Sequence, residues 1–276
     1  MGGYQLAGEL SASQEMVRYA GLVIAATLGC TITFTIPVGM GMLKSGDRLL
    51  FSRGMLIGTG TLPVTMIVGG LLSGLSFLQI VLQSLPVLLF CFLLMFGIWR
   101  FPEQTVRAFT VFADVIRLLT TIGLIAGAFC YMTGFSLLPD LAPLEDAMAV
   151  VSSIGIVLLG SLPTAELLQR VLKKPLSFIG RKTGMNDSSA AGLLMGIVSP
   201  VPAITMMEKM DERGKIVNAA FLVSAASTIA AHMGFTFGTD PDFVVPLLVA
   251  KLAGGIAAVC AALFFTKKSA YSKTRK

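Results

Sequence analysis

Residues 54–99 read GMLIGTGTLPVTMIVGGLLSGLSFLQIVLQSLPVLLFCFLLMFGIW, a run of 46 residues without Asp, Glu, Lys or Arg. A helix needs roughly 20 apolar residues to cross the hydrocarbon core of a bilayer, so this run is long enough for two crossings. Small and polar residues interrupt the run at 73–76, where we place a turn. The stretch therefore predicts two transmembrane helices, at 54–75 and 78–99.

Further uncharged runs follow the same pattern along the rest of the chain. They are 19–43, 118–139, 147–165, 188–207, 216–239, and 243–250 with 252–266. The chain is 55% hydrophobic and 13% charged, whereas soluble domains are roughly 25% charged. We therefore predict an all-α, polytopic helical membrane protein with about 7–8 membrane segments in one transmembrane domain over 1–276.

The charges of the loops predict the orientation of these segments. Lys and Arg are enriched in cytoplasmic loops of membrane proteins. The basic segments are 44–53, 166–187, 208–215 and the tail 267–276. The loops at 140–146 and 240–242 carry only acidic charges. We therefore assign the basic segments to the cytoplasm, attribute the net charge of +6 to them, and expect the lipid bilayer rather than a nucleic acid as the partner.

Segment 188–207 breaks the alternation, because basic loops lie on both sides of it. Its centre reads Ser199-Pro200-Val201-Pro202, and two prolines so close together disfavour a continuous helix. Unwound backbone at membrane depth requires a protein or cavity environment. The pattern predicts a re-entrant hairpin that enters and leaves on the cytoplasmic side, and a kinked crossing helix is the alternative.

Motifs of enzymes are missing from the sequence. It has one histidine and contains no H-E-x-x-H, G-x-S-x-G or P-loop pattern. The four cysteines lie in apolar runs and form no C-x-x-C pair. We predict no catalytic residues, no metal site and no cofactor, and expect a protein that is not an enzyme.

Several motifs together resemble one family of permeases. They are Met1-Gly2-Gly3-Tyr4, Ile36-Pro37-Val38, Gly184-Met185-Asn186-Asp187, Lys209-Met210-Asp211, Arg213-Gly214-Lys215, Val223-Ser224-Ala225-Ala226 and His232-Met233-Gly234. In this combination the chain resembles the ethanolamine-utilisation permease family, EutH, over essentially its whole length. The resemblance implies a multi-pass permease of the cytoplasmic membrane that takes up ethanolamine as its small-molecule substrate.

Two departures from the family pattern accompany the resemblance. Family members carry further helices before the Met-Gly-Gly-Tyr motif, which implies that this chain is shortened at its N-terminus. The family's Asn-Asn-Ile-Pro and Gly-Asp-His-Leu-Gly stretches correspond here to Ser199-Pro200-Val201-Pro202 and Ala230-Ala231-His232-Met233-Gly234. A carrier for another small amine or amino alcohol and a non-transporting remnant or subunit therefore stay open as alternatives. The oligomeric state, including a homo-oligomer, also stays open.

Polar residues near the membrane segments are the candidates for substrate binding. Asn186 and Asp187 precede an apolar run and have helix-capping chemistry, and they also match a family motif. Ser199 stands at the proline break, and Ser224 belongs to a family motif. His232 could hydrogen-bond a hydroxyl or relay a proton, and an interhelical packing role is the alternative.

Lys251 is the most anomalous charge in the sequence. It stands in the middle of an apolar segment, beyond easy reach of the headgroups by snorkelling. An ammonium at that depth is expected to face a cavity or to pair with an acid. Glu9 is the most suitable acidic partner by residue type. We therefore predict a functional or ion-paired role for Lys251 and include Glu9 in the candidate site.

Overall fold

The computed structural model describes residues 2–10, 13–135 and 182–266, with isolated positions between 148 and 180. Every element within these described residues is helical, as predicted. The helices are α1 (Gly2–Leu10), α2 (Gln14–Met42), α3 (Ser45–Leu72), α4 (Phe77–Arg100), α5 (Pro102–Thr133), α6 (Asp187–Val198), α7 (Pro200–Met206), α8 (Glu212–Thr239) and α9 (Pro241–Phe265). Among them, α2 to α5, α8 and α9 are long and apolar enough to cross a membrane.

The two helices predicted from the longest uncharged run are confirmed, but the first begins at Ser45, nine residues earlier than predicted. α3 ends at Leu72, and α4 begins at Phe77 after a turn that includes Gly74 in the left-handed region. Ser76 caps α4, because its hydroxyl accepts a hydrogen bond from the backbone N–H of Gln79. The predicted segment 147–165 and the basic tail 267–276 lie outside the described residues.

α5 begins earlier than the sequence predicted. The charge pattern predicts a start near residue 116, but the helix begins at Pro102 and contains 32 residues. At 1.5 Å per residue it is about 48 Å long, which exceeds a hydrocarbon core of about 30 Å. The charged first half can therefore extend beyond the core. Within it, Arg117 and Asp114 form an ion pair of 3.3 Å across one helical turn.

Segment 187–206 is a helical hairpin rather than a crossing helix. The side-chain amide of Asn186, before α6, donates to the carbonyl of Lys209, after α7, at 2.9 Å. The backbone N–H of Asn186 donates to the carboxylate of Asp211, also at 2.9 Å. A straight helix over these 20 residues would hold its ends about 30 Å apart. The chain must therefore reverse, as the re-entrant prediction requires, and entry from the cytoplasmic side stays a prediction.

Ion pairs join the basic loops at one end of the bundle. Lys44 pairs with Glu208, and Lys215 contacts Asp47 at 2.5 Å. The hydrogen bond from Lys44 lowers the pKa of the Glu208 carboxyl. At the opposite end, Arg18 makes a two-pronged bond to Asp240 of 2.5 and 2.9 Å. The start of α3, both ends of the hairpin and the start of α8 therefore share one side, as their Lys and Arg content predicted.

Glycines allow α3 and α8 to approach closely. A Cβ atom on Gly54 would lie 2.3 Å from the carbonyl oxygen of Ile216, and one on Gly58 would lie 2.4 Å from that of Ala220. Small residues permit such backbone approach between membrane helices, where dispersion rather than water exclusion drives packing. This close pair of helices forms the centre of the described bundle, while α4 and α5 expose large apolar side chains suited to lipid.

We predict that Gly58→Ala destabilises the protein, because the added methyl group meets a backbone oxygen that cannot move away. Overpacking of this kind costs about 1–3 kcal/mol, which should lower the melting temperature by on the order of 5 °C. The measurement is thermal unfolding in detergent. Gly123→Ala is the matched control, because a Cβ there meets nothing within 4 Å. Equal melting temperatures for the two variants would contradict the close packing.

Candidate functional site

The hairpin folds back at a single extended residue. Ser199 has φ −156° and ψ 139° and lies buried between α6 and α7. Pro200 opens α7, at a position where its missing N–H removes no helical hydrogen bond. The proline pair therefore begins a second half-helix instead of kinking one long helix. The tip of the hairpin lies inside the protein, as unwound backbone at membrane depth requires.

α8 is also broken, at a point that touches this tip. Ala226 leaves the helical conformation, and Ser227 adopts φ 54° in the left-handed region. The N–H of Ser227 donates to the carbonyl of Gly196 in α6 at 3.0 Å. The imidazole Nδ1 of His232 lies 3.1 Å from the carbonyl of Ala226. His232 thus satisfies a carbonyl freed by the break within its own helix, rather than bridging two helices.

α2 passes this region as a π-helix. Its residues Arg18–Gly29 and Thr31–Thr35 have π-helical hydrogen bonding, which is uncommon and frequent at functional sites. The Thr31 hydroxyl donates to the carbonyl of Val223, just before the break in α8, at 3.2 Å. The irregular part of α2 therefore lies directly against the irregular part of α8.

Lys251 reaches into the same region from α9. Its side chain is fully buried, and its ammonium donates to the carbonyl of Ala26 in the π-helical part of α2 at 2.9 Å. Cys30 of α2 and His232 of α8 lie within electrostatic range of it. Within the described residues Lys251 forms no ion pair, so a backbone dipole takes the place of the expected carboxylate.

A pair of hydroxyl groups lies one turn further along α9. The Thr65 hydroxyl of α3 and the Ser224 hydroxyl of α8 are 3.0 Å apart, and both are buried. Gly254 faces the pair: a Cβ there would lie 1.7 Å from the Thr65 hydroxyl oxygen and 2.8 Å from that of Ser224. Four helices, α2, α3, α8 and α9, together with the hairpin tip thus meet at one polar centre.

The structure brings together three of the seven predicted site residues. Ser224, His232 and Lys251 lie at the polar centre through the contacts described above, and Ser199 lies at the tip of the hairpin, three residues after Gly196, whose carbonyl accepts from the Ser227 N–H. Asn186 and Asp187 instead lie at the open ends of the hairpin, where Asn186 caps α6 by accepting from the N–H of Ser189, as its capping chemistry predicted.

Glu9 is not the partner of Lys251, and that prediction is wrong. α1 runs antiparallel to α2, with Gly3 against Ala25 and Tyr4 against Gly21. Glu9 therefore points towards the outer end of α1, where it is exposed. Gly3 lies beside Ala25, next to the residue whose carbonyl binds Lys251. Glu9 lies about 9 Å further along α1.

Three participants were missed by the sequence analysis. Thr65 is a neutral residue in an apolar run, Ser227 carries a left-handed turn that normally favours glycine, and Ala26 contributes only its backbone carbonyl. The only available signal was the presence of polar side chains within long apolar runs.

The polar centre offers carbonyl oxygens, hydroxyl groups, one imidazole and one amine. None of its hydrogen bonds within the described part of the chain involves a carboxylate. Carbonyl and hydroxyl oxygens can accept from an ammonium group, and hydroxyls can also donate. Two broken helices that meet near the middle of a membrane bundle are typical of secondary transporters, whose substrate sites lie at such breaks. The class defined by the fold and the site is therefore a multi-pass membrane transporter.

Comparison with known proteins places the chain within this class. The family model "Ethanolamine utilisation protein, EutH" matches residues 1–265, and the chain belongs to this family. A protein of Listeria monocytogenes named "Probable ethanolamine permease EutH" is 37% identical over 97% of this chain and 72% of its own length. The Escherichia coli protein of that name is 33% identical, over 100% and 73%. Bacillus subtilis YxeR, an uncharacterised protein, is 32% identical, over 96% and 72%. No solved structure matches.

These relatives confirm the predicted family and the prediction that the protein is not an enzyme. The Listeria monocytogenes and Escherichia coli relatives carry the name of a permease. Together with the long apolar helices, they identify the chain as a multi-pass membrane protein.

We predict that the Thr65 and Ser224 hydroxyls stabilise each other. Thr65→Val or Ser224→Ala alone leaves one buried hydroxyl without its partner, which costs about 1–3 kcal/mol. The double variant should lose less than the sum, with a coupling energy of about 1 kcal/mol. Thermal or denaturant unfolding of the unaltered protein, the two single variants and the double variant gives this coupling energy. Strictly additive losses would show that the two groups do not interact.

Proposed function

We propose that this protein is a permease that carries ethanolamine across the cytoplasmic membrane, with the chain 1–276 forming one permease domain. The relatives are named for ethanolamine, and the polar centre suits its chemistry. Ethanolamine is a primary amine, and such amines are protonated at neutral pH. Its ammonium needs acceptors and its hydroxyl needs a donor or an acceptor, and carbonyl and hydroxyl groups of the centre provide both.

The observation that carries the proposal is the bond from the Ser227 N–H to the Gly196 carbonyl. This bond joins α6 of the hairpin to the unwound turn of α8. Broken helices that meet in this way surround the substrate sites of secondary transporters. This arrangement supports alternating access around a fixed site.

The seven candidate residues divide among three places in this proposal. Ser199, Ser224, His232 and Lys251 form the substrate site at mid-depth. Asn186 and Asp187 lie at the cytoplasmic mouth beside the hairpin ends, and Glu9 lies towards the outer end of α1, where an acidic side chain would attract a cation.

We predict saturable uptake of labelled ethanolamine by proteoliposomes at pH 6, where the amine is almost entirely protonated. Excess ethanolamine or ethylamine should compete, because both are primary ammonium ions, whereas ethylene glycol should not. Uptake no faster than that of protein-free liposomes would contradict the permease function. Competition by ethylene glycol would show that the site does not select for the cation.

The same assay tests the mid-depth site with a matched pair of serines. Ser199→Ala should reduce the uptake rate at low substrate concentration about ten-fold, as expected for one lost hydrogen bond. Ser52→Ala is the control, because Ser52 is also buried but lies near the cytoplasmic end of α3, where its hydroxyl faces the sulfur of Met40.

A further inference from the structure

Lys251 lies far from both membrane surfaces. About 15 Å of helix separate it from Pro241 at one end of α9, and about 21 Å separate it from Phe265 at the other. Its side chain has no exposed surface. A lysine near a helix end can extend its ammonium to the headgroups, but one at this depth cannot. Such charges are costly and commonly mark transport pathways.

The surroundings of the Lys251 ammonium group resemble a cation-binding site more than an ion pair. The ammonium donates to the Ala26 carbonyl, which belongs to the π-helical part of α2. Salt bridges among the described residues link other groups, so within this part of the chain no carboxylate compensates the charge. The partner of this primary ammonium group among the described residues is a peptide dipole.

The proposed substrate carries the same chemical group. Ethanolamine and the lysine side chain are both primary alkylammonium ions, so an acceptor that suits one suits the other. Two ammonium ions a few ångströms apart repel strongly in a buried site, where the effective dielectric constant is low. The centre therefore cannot readily hold the substrate cation and a protonated Lys251 together.

We propose that Lys251 is an internal substitute for the substrate cation, and that the carrier exchanges one ethanolammonium for one proton. This inference rests on the proposed function and adds its mode of coupling. In the empty carrier, protonated Lys251 occupies the Ala26 carbonyl. When substrate enters from outside, an N–H bond of the lysine breaks, the proton passes to water on that side, and the substrate ammonium takes the carbonyl.

The cycle closes on the cytoplasmic side. The substrate leaves with all its protons, and Lys251 takes a proton from cytoplasmic water and returns to the carbonyl. One positive charge thus enters and one leaves per cycle, so transport is electroneutral. Among the described residues, the titratable groups within electrostatic range of Lys251 are the Cys30 thiol from α2 and the His232 imidazole from α8. The Thr65 and Ser224 hydroxyls, from α3 and α8, lie against Gly254, one turn along α9 from Lys251.

The test compares two driving forces in proteoliposomes that contain the whole chain. One set has an interior one pH unit more acidic than the outside and no membrane potential. The other set has equal pH and an inside-negative potassium diffusion potential. The acidic interior should drive about ten-fold accumulation of labelled ethanolamine, the proton ratio across one pH unit. The initial rate of this uptake should be at least ten-fold above the rate in protein-free liposomes. The membrane potential alone should drive no accumulation.

Variants of Lys251 assign the coupling to this residue. Lys251→Met removes the titratable group, so its uptake should follow the membrane potential and no longer the pH gradient. Lys251→Arg keeps a charge that cannot be released at these pH values, so uptake should fall at least ten-fold under both gradients. Lys44→Met, which removes an exposed lysine, should behave like the unaltered protein.

The outcomes separate the two proposals. Uptake by the unaltered protein that follows the potential overturns the exchange but leaves the permease function intact. Lys251→Met transport that still follows the pH gradient overturns the role of Lys251. Absence of uptake under both gradients overturns the proposed function and the exchange with it. If neither Lys251 variant folds, as judged by gel filtration, the driving force of the unaltered protein still decides whether transport is electroneutral, and uptake that follows the potential still overturns the exchange.

Discussion

Backbone groups freed inside a bilayer must find partners within the protein, and this constraint organises the described structure. The hairpin tip and the unwound turn of α8 satisfy it together, because the Ser227 N–H binds the Gly196 carbonyl. Side chains satisfy the neighbouring carbonyls: Thr228 donates to Ala225, and His232 lies against Ala226. Neither break would be stable alone at that depth. The two irregular segments therefore depend on each other, and the polar centre lies where they meet.

The same constraint explains how a charge is tolerated at the centre. The π-helical hydrogen bonding of α2 differs from that of a regular helix, and the Ala26 carbonyl accepts from Lys251 in this stretch. A carbonyl is neutral, so it binds an ammonium without fixing it as permanently as a carboxylate would. This moderate strength suits a carrier, which must release what it binds. Broken backbone and buried charge thus occur together in the region of the proposed substrate site.

Patterns of length and charge were sufficient to predict most of the fold. The uncharged run 54–99 predicted α3 and α4, and the proline pair between two basic segments predicted the hairpin. The start of α5 was predicted wrongly, because charges were taken as the limit of the helix, although an α-helix can continue past the hydrocarbon core.

The site was only partly predictable, for physical reasons. Polar side chains at membrane depth are rare, so Ser199, Ser224, His232 and Lys251 could be selected from the sequence. The partner of Lys251 could not, because every residue has a carbonyl and only the fold decides which one is free. Glu9 was chosen by charge alone, without knowledge of its depth. Ser227 could not be foreseen, since its left-handed conformation is imposed by the tertiary contact with α6.

The central claim is that segment 187–206 turns back at Ser199 and does not cross the membrane. Single cysteines replace Asp187, Glu208 or Thr239, all of them exposed, in a chain whose four native cysteines are changed to alanine. An impermeant thiol reagent is applied to intact cells and to inverted vesicles. The account predicts that positions 187 and 208 react only in inverted vesicles and position 239 only in intact cells. Reaction of positions 187 and 208 from opposite sides would contradict it.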